Sequence, residues 1–390
     1  MANSSSLHEL TVERIVPNGF GIGFADGLTV FVALAAPGDR VRVRETQRKG
    51  RIVFAEIVEI LEPSARRIVP RCEYAGICGG CDFQHLTYTA QLDAKVGIVR
   101  DCLKRIGKLE APEIEIMPSP VEFGYRSRAK WHTDTRRRRI GYFKRGSHDV
   151  IDVRECPILT PELQSKLTEI REYVAWEEFI TDHAEIEAAS SAGEVSVYSN
   201  DLLEPTHELD FFAAGERYSF DARSFFQGNQ SMIEKLIELS IGGLSGSLAI
   251  DLYCGAGLFT LPLARRFTRV TGVESGSRAV GSARKNIERA ILTNAEIFDS
   301  KVGDWLGANE AEVGPVDLVL LDPPRTGTER GVVESIARIR PHTISYVSCE
   351  PSTLARDLRV FIDRGFTVES ITALDLFPQT HHVETVVRLA

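Results

Sequence analysis

The segment Ile344-Ser345-Tyr346-Val347-Ser348-Cys349-Glu350-Pro351 sets a cysteine just past an apolar β-type run, on a polar turn that cannot continue the strand. Open α/β sheets present their reactive groups at such turns, whereas a packing thiol sits more often inside the run. Cys349 also has company. Asp322-Pro323-Pro324-Arg325 lies upstream, His381-His382-Val383-Glu384 downstream, and a glycine-rich turn precedes both. Together these residues describe a nucleophile beside a bound cofactor, with carboxylates available for proton transfer.

The glycine-rich turn is Asp251-Leu252-Tyr253-Cys254-Gly255-Ala256-Gly257-Leu258-Phe259, a strand end followed by residues that let the backbone approach a ligand. Glu274 ends the next strand, where an acid can accept hydrogen bonds from ribose hydroxyls. The third glycine of the dinucleotide fingerprint is missing. An adenosine ligand without a second nucleotide, such as S-adenosylmethionine, suits this turn better than NAD.

A second constellation is Cys72-x5-Cys78-x2-Cys81, with Cys156-Pro157 far downstream and Gly76, Gly79 and Gly80 shaping a tight loop. Four thiolates could hold zinc or an iron–sulfur cluster, and spacing alone does not decide. Proline after the last cysteine resembles the ferredoxin run and favours iron. The spacing differs from the Cys-x3-Cys-x2-Cys of radical S-adenosylmethionine enzymes, and a fourth cysteine ligand leaves no open iron site, so a structural cluster is expected. Cys102 and Cys254 have no such neighbours and read as packing residues. An odd total of seven cysteines in a chain without a secretory leader indicates reduced thiols.

These residues need elements to position them. Residues 7 to 61 contain β-rich runs at Glu9–Val16, Leu28–Val32, Arg40–Arg44 and Ile52–Ile60, separated by Pro17-Asn18-Gly19, Asp26-Gly27 and Pro37-Gly38-Asp39. That pattern predicts a small OB-like β-barrel of the kind that often carries oligonucleotides, with a linker near Glu62-Pro63-Ser64. Loop and strand are expected from Pro205 to Phe220. After Gln227 the chain alternates a helix near Ser231 to Ser240 with strands at Leu248–Asp251, Val270–Glu274, Val316–Asp322 and Thr343–Ser348, which predicts a parallel, doubly wound sheet. The expected fold is α/β in three parts: a barrel at 1–61, a central α+β domain with the cysteine-ligated cluster at 62–224, and a Rossmann-like domain at 225–390.

The chain has 390 residues, 43% hydrophobic and 26% charged, with a net charge of -9. The average conceals segregation. Nine basic residues (Arg126, Arg128, Lys130, Arg136 to Arg139, Lys144 and Arg145) face three acids between Val121 and Val150, and six basic residues face Glu45 alone between Arg40 and Arg51. Such runs suit a polyanion partner. Tyr125, Trp131, Tyr142 and Phe143 interleave with the first run as stacking candidates. The amino-terminal Met1 to Ser6 has no basic or apolar leader, and no later run approaches a membrane span. A cytoplasmic monomer without membrane contact is expected.

From Leu7 to its end the chain resembles the RNA uracil-C5 methyltransferases, the family of the tRNA and 23S rRNA 5-methyluridine synthases, and within it the branch with an amino-terminal TRAM barrel and a four-iron–four-sulfur cluster. The matching elements are Cys72, Cys78, Cys81 and Cys156, Phe225-Phe226-Gln227-Gly228-Asn229, Asp251 to Gly255, Asp322 to Gly327, Tyr346 to Pro351, and His382-Val383-Glu384-Thr385. The resemblance implies a class I methyltransferase domain, S-adenosylmethionine held by Gln227, Tyr253, Glu274, Asp304 and Asp322, and a [4Fe-4S] cluster on the four cysteines. It implies Cys349 as nucleophile and Glu384 as base. Members often have asparagine where this chain has Leu258, so a polar contact to the cofactor is expected to be missing there.

The chemistry explains the residue types. Uracil C5 is too poor a nucleophile to attack a methyl sulfonium directly, so a thiolate must first add to C6. After methylation a carboxylate must remove the C5 proton. Asp322 could orient the base or the methyl donor, its loop fixed by two prolines. The target base must leave its stack to reach such a pocket. Two rival classes are a methyltransferase making 5-methylcytosine or N6-methyladenine, and a non-enzymatic RNA-binding protein or chaperone. Ser348 stands where the cytosine enzymes usually place proline, the adenine enzymes need no cysteine, and Cys349 with Glu384 speaks against a mere binder. Bacterial family members acting on tRNA commonly lack both barrel and cluster, which favours 23S rRNA over tRNA as substrate.

Overall fold

The computed structural model describes residues 6–110, 112–201 and 206–390. Residues 1–5, where no leader was expected, and Pro205, where loop and strand were expected to begin, lie outside the described residues. Six strands come first: β1 (Leu7–Thr11), β2 (Arg14–Ile15), β3 (Gly21–Ala25), β4 (Leu28–Val32), β5 (Arg40–Lys49) and β6 (Ile52–Glu62). They form one sheet in the order β1-β5-β6-β4-β3-β2, rolled around Leu10, Val12, Val30, Val32, Val41, Val43 and Val53. The expected run Glu9–Val16 is broken into β1 and β2. Between them Val12 N–H donates to Asp39 and Glu13 N–H to Ile22, so the backbone crosses to new partners.

Alternation along β5 sends Val41 and Val43 inward and Arg40, Arg42 and Arg44 outward. The outward arginines meet Glu9 of β1 and Glu56, Glu59 and Glu62 of β6, and Arg48 meets Glu45. Four cations of the run at 40–51 are thus partnered within the barrel.

The chain continues with α1 (Tyr88–Arg105), whose cap Thr87 accepts from Ala90 N–H, and β7 (Ile114–Met117). Then β8 (Arg128–Asp134), β9 (Arg139–Phe143), β10 (Val150–Asp152), α2 (Pro161–Tyr173), β11 (Glu185–Ser191) and β12 (Glu194–Tyr198) build an antiparallel sheet ordered β10-β9-β8-β11-β12. Leu163, Leu167 and Ile170 of α2 cover one face against Trp131, Ile140 and Ile186. A hairpin of β13 (Leu209–Ala213) and β14 (Glu216–Phe220) follows.

The remaining elements are α3 (Ile233–Ile241), β15 (Gly246–Leu252), α4 (Thr260–Ala264), β16 (Phe267–Glu274), α5 (Ser277–Arg289), β17 (Ala295–Asp299), α6 (Val302–Asn309), β18 (Leu318–Leu321), α7 (Val332–Ile339), β19 (Thr343–Ser348), α8 (Pro351–Asp363), β20 (Val368–Leu374) and β21 (Glu384–Leu389). Their sheet reads β17-β16-β15-β18-β19-β21-β20-β7. Strands β15 to β19 are mutually parallel, and β21 enters antiparallel between β19 and β20. The order reverses between β15 and β18, which opens a crevice at the carboxyl edge. Residues 62–224 therefore also complete the large sheet, because β7 adds to β20 and α1 packs on α8.

Lys95 of α1 and Asp375, just past β20, form an ion pair with neither side chain exposed, and Lys95 also donates to Phe377 O at 2.9 Å. Burial lowers the lysine pKa and Asp375 opposes the shift. Removing one partner strands the other charge in a dry site, which costs about 3–5 kcal/mol, whereas replacing both with apolar residues costs much less. In urea unfolding Lys95→Met should lose about that amount, and Lys95→Met with Asp375→Leu should recover most of it.

Candidate active site

Five parallel strands ending at one edge bring Tyr253, Glu274 and Asp322 together with Cys349, which follows β19 directly. Glu384 reaches the same edge by the opposite route. It opens β21, whose antiparallel register places Thr385 across from Ser348. Residues 349 and 384 are thus neighbours although one ends a strand and the other begins one.

Burial dominates the electrostatics here. The Cys349 thiol is pushed up to about 12, first by desolvation and then by the carboxyls of Glu384 and Asp322, with Arg325 opposing through charge and a hydrogen bond. Glu384, 2% exposed, is held well above the carboxylate range by burial and by Asp322, again opposed by Arg325. Its Oε1 has no hydrogen-bond partner among the described residues. Burial raises Asp322 to about 7. His382 is pushed down to about 3 by burial, then by His381 and Arg325. Cys349, Asp322, Arg325 and Glu384 form one electrostatic group, in which Glu384 is buried, Cys349 and Asp322 are half-buried and Arg325 is exposed.

The glycine turn adjoins it. Tyr253 has φ 61° and donates to Glu329 at 2.5 Å. Gly255 has φ 56° and nothing within 4 Å of where a Cβ would stand, so the turn leaves space for a ligand. The Glu274 carboxylate accepts from Gly255, Ser275 and Gly276 N–H at 3.1, 2.9 and 2.6 Å. These contacts hold it at the mouth of that space. Asp251 beneath accepts from Thr260 Oγ1 at 2.6 Å. Gln227 is buried on a segment tied to the central sheet by Ser127 N–H donating to Gly228 O. Asp304 is exposed in the first turn of α6 and has no hydrogen bond or ion pair among the described residues. Leu258 faces the apolar core beside Phe259 and Leu261, and its carbonyl accepts from Tyr218.

Cys72, Cys78, Cys81 and Cys156 line one cavity of about 120 Å³ together with Arg126 and Tyr142. Burial raises all four thiols, Cys81 to about 12 and Cys156 to about 11, and Arg126 opposes the shift at Cys78, Cys81 and Cys156. Among the described residues no three acidic, histidine or cysteine side chains lie close enough together to hold a single metal ion. The guanidinium of Arg126 stands beside the four thiols, and the Tyr142 hydroxyl has no hydrogen-bond partner among the described residues.

The expected RNA run divides on folding. Trp131 is fully buried against α2, and Tyr125 is buried with its hydroxyl on Pro378 O at 2.8 Å, so neither can stack on a base. Arg126 faces the thiols, and Arg128 donates to Ala222 O at 2.8 Å. Tyr142 belongs to the thiol cavity, while Phe143 stacks on His132 at 3.7 Å. Arg136, Arg137 and Arg138 pair with Asp182, Asp134 and Glu177 at the surface. Arg137, Arg139 and Lys144 line an open groove of about 400 Å³. Sequence reasoning missed Arg325, which stood in the Asp-Pro-Pro-Arg element without a role, and the contact of Asp82 with His381. For the second there was no local signal.

A parallel sheet with a cofactor turn at its switch point, a thiol and carboxylates on one edge, and an appended barrel define an RNA methyltransferase that uses S-adenosylmethionine. Residues 200–304 and 312–390 match the tRNA (Uracil-5-)-methyltransferase family, and residues 9–65 the TRAM domain of tRNA (uracil(54)-C(5))-methyltransferase. The chain is 32% identical to an uncharacterized RNA methyltransferase of Thermosynechococcus vestitus, over 98% of this chain and 97% of that one. It is 30% identical to the 23S rRNA (uracil(1939)-C(5))-methyltransferase RlmD of Pectobacterium carotovorum, over 96% and 92%. The crystal structure of Pyrococcus abyssi tRNA (uracil-54, C5)-methyltransferase in complex with S-adenosyl-L-homocysteine matches with a TM-score of 0.76 and 26% identity, over 98% of this chain and 100% of that one. The chain belongs to the TRAM-bearing RNA uracil-C5 methyltransferases.

Asp322 has a pKa of about 7 in the fold against an ordinary 3.8. Between those values the folded protein binds more protons than the unfolded chain, so this group's contribution to stability falls as pH rises from about 4 to about 7. Asp322→Asn should therefore gain stability relative to wild type over that interval, by a few kcal/mol at most. Thermal melts of both proteins at several pH values measure the difference; a constant gap would contradict the buried acid.

Proposed function

We propose that Cys349 is the nucleophile and Glu384 the base in methylation of uridine C5, and that the substrate is 23S rRNA. The observation that carries the chemistry is the meeting of a thiol and a buried, unpartnered carboxyl at one sheet edge beside the glycine turn. Gln227, Tyr253, Glu274 and Asp322 would hold S-adenosylmethionine, with Asp304 a fifth contributor. That cofactor, when bound, supplies an electrophilic methyl group.

Cys349 gives its proton to solvent and, as the thiolate, forms a sulfur–carbon bond to C6, moving the C5=C6 electron pair onto C5 and the C4 oxygen. Arg325 is the cation that favours the thiolate against Glu384 and Asp322. Once C5 carries the methyl group, Glu384 takes the C5 proton. The electron pair left behind restores the C5=C6 bond, the S–C6 bond breaks, and the thiolate returns to Cys349. A carboxylate with a raised pKa is a stronger base, which is what burial and Asp322 give Glu384.

The identity with a 23S rRNA enzyme over nearly the whole chain supports the ribosomal reading. The Pyrococcus structure supports tRNA as the second reading, since an enzyme of that kind matches this chain through the barrel as well. On this reading the protein works as a cytoplasmic monomer. The barrel at 1–61 and the thiol-bearing portion of 62–224 hold RNA, Arg139 and Lys144 contact phosphates, and 225–390 carries the reaction. The four cysteines hold a [4Fe-4S] cluster, a reading supported by their lining one cavity together with Arg126.

With labelled methyl donor and unmodified total RNA, wild type should place 5-methyluridine in 23S rRNA. Cys349→Ala should give neither product nor covalent complex. Glu384→Gln should add to C6 and methylate C5 but fail to eliminate, accumulating a denaturant-resistant adduct with labelled RNA. Wild-type turnover in Glu384→Gln would overturn the base assignment, and label confined to tRNA would overturn the substrate.

Anaerobically purified protein should be brown and contain iron and sulfide at about four each per chain. Stoichiometric zinc without sulfide would exclude the cluster.

A further inference from the structure

The loop between β20 and β21 delivers Glu384, and it is gripped from outside its own sheet. Asp82, the residue after Cys81, takes the His381 backbone N–H on one carboxylate oxygen at 2.8 Å and the ring Nδ1 on the other. Asp82 and Phe83 N–H both donate to Gln379 O, at 3.1 and 3.0 Å. Gln91 exchanges side-chain hydrogen bonds with Gln379, donating to its Oε1 at 3.0 Å and accepting from its N–H at 2.9 Å. The barrel closes over the same contact: a Cβ on Gly19 would stand 2.8 Å from Asp82 Oδ2 and 3.2 Å from His381 Cβ. Barrel, cysteine loop and the loop before β21 thus meet where the Asp82 carboxylate holds His381, three residues before Glu384.

We infer that Asp82 and His381 are positioning residues for Glu384, their contact fixing the path on which the chain enters β21. The inference rests on the reading of Glu384 as base. A two-point grip on one residue removes both a translation and a rotation of the backbone behind it. A displaced base loses proton transfer steeply, because the reacting atoms must lie within hydrogen-bond reach. Neither residue has a hydrogen bond or ion pair to Cys349 or Arg325 among the described residues. Loosening it should therefore leave attack at C6 intact and slow the last step.

The test uses the full-length enzyme with RNA and labelled methyl donor. His381→Ala and Asp82→Asn should lower kcat on the order of tenfold to a hundredfold with KM for RNA unchanged. Both should accumulate the denaturant-resistant methylated adduct that marks a stalled elimination. His381→Asn, whose amide can still donate to Asp82, should restore most of kcat and abolish the excess adduct. Two variants guard against loss of fold in either one, judged by thermal melting. A lower kcat without adduct above wild type, or a change in KM alone, overturns the inference while leaving the base assignment standing if Glu384→Gln still stalls. Absence of adduct in Glu384→Gln overturns the base assignment and this inference with it.

Discussion

Ser348 lies opposite Thr385 because β21 enters antiparallel between β19 and β20. Had that strand run parallel like its neighbours, Glu384 would open at the far edge of the sheet, a full strand length from Cys349. The reversal is paired with the cofactor turn at the same edge, where the five parallel strands end. The proposed nucleophile, base and methyl-donor site thereby sit at strand termini, which a hydrogen-bonded sheet holds more rigidly than free loops would.

The arrangement concentrates acid in a place with little water. Asp251, Asp322 and Glu384 are all raised by burial, Asp322 pushes Glu384 further upward, and both raise Cys349 as well. Arg325 is the counterweight. Such a site costs stability, consistent with the general observation that strongly shifted groups gather where chemistry is done. The expense is offset by the apolar clusters on both faces of the sheet, which bury the helices from α3 to α8 and take in α1 from outside the segment.

The short cysteine loop acts as a joint between parts that share no sheet. Gly79 N–H donates to Phe143 O, Arg145 donates to Cys81 O at 2.9 Å, and Asp82 reaches the catalytic loop. Whatever fixes the thiols also fixes the end of β9 and the approach to β21.

Much of this was legible along the chain. Leu28–Val32 and Thr343–Ser348 form strands where β-rich runs end at turn residues, and Cys349, the glycine turn and the cysteine triplet announce themselves by spacing within about ten residues. These features depend on local sterics and hydrogen bonding, which a short window contains. The fate of the charges was not legible. Arg40, Arg42 and Arg44 read as a basic strand until β6 and β1 place glutamates across from them, and Trp131 and Tyr125 read as stacking residues until the pleat and the Pro378 carbonyl bury them. The joining of α1 and β7 to the large sheet, Lys95 to Asp375 across 280 positions and Asp82 to His381 across 299 are decided by register and topology. The residue types that do the chemistry were thus set by the sequence alone. Which of them meet was decided by tertiary structure, because contacts between distant segments form only when strand order and direction have brought their backbones together.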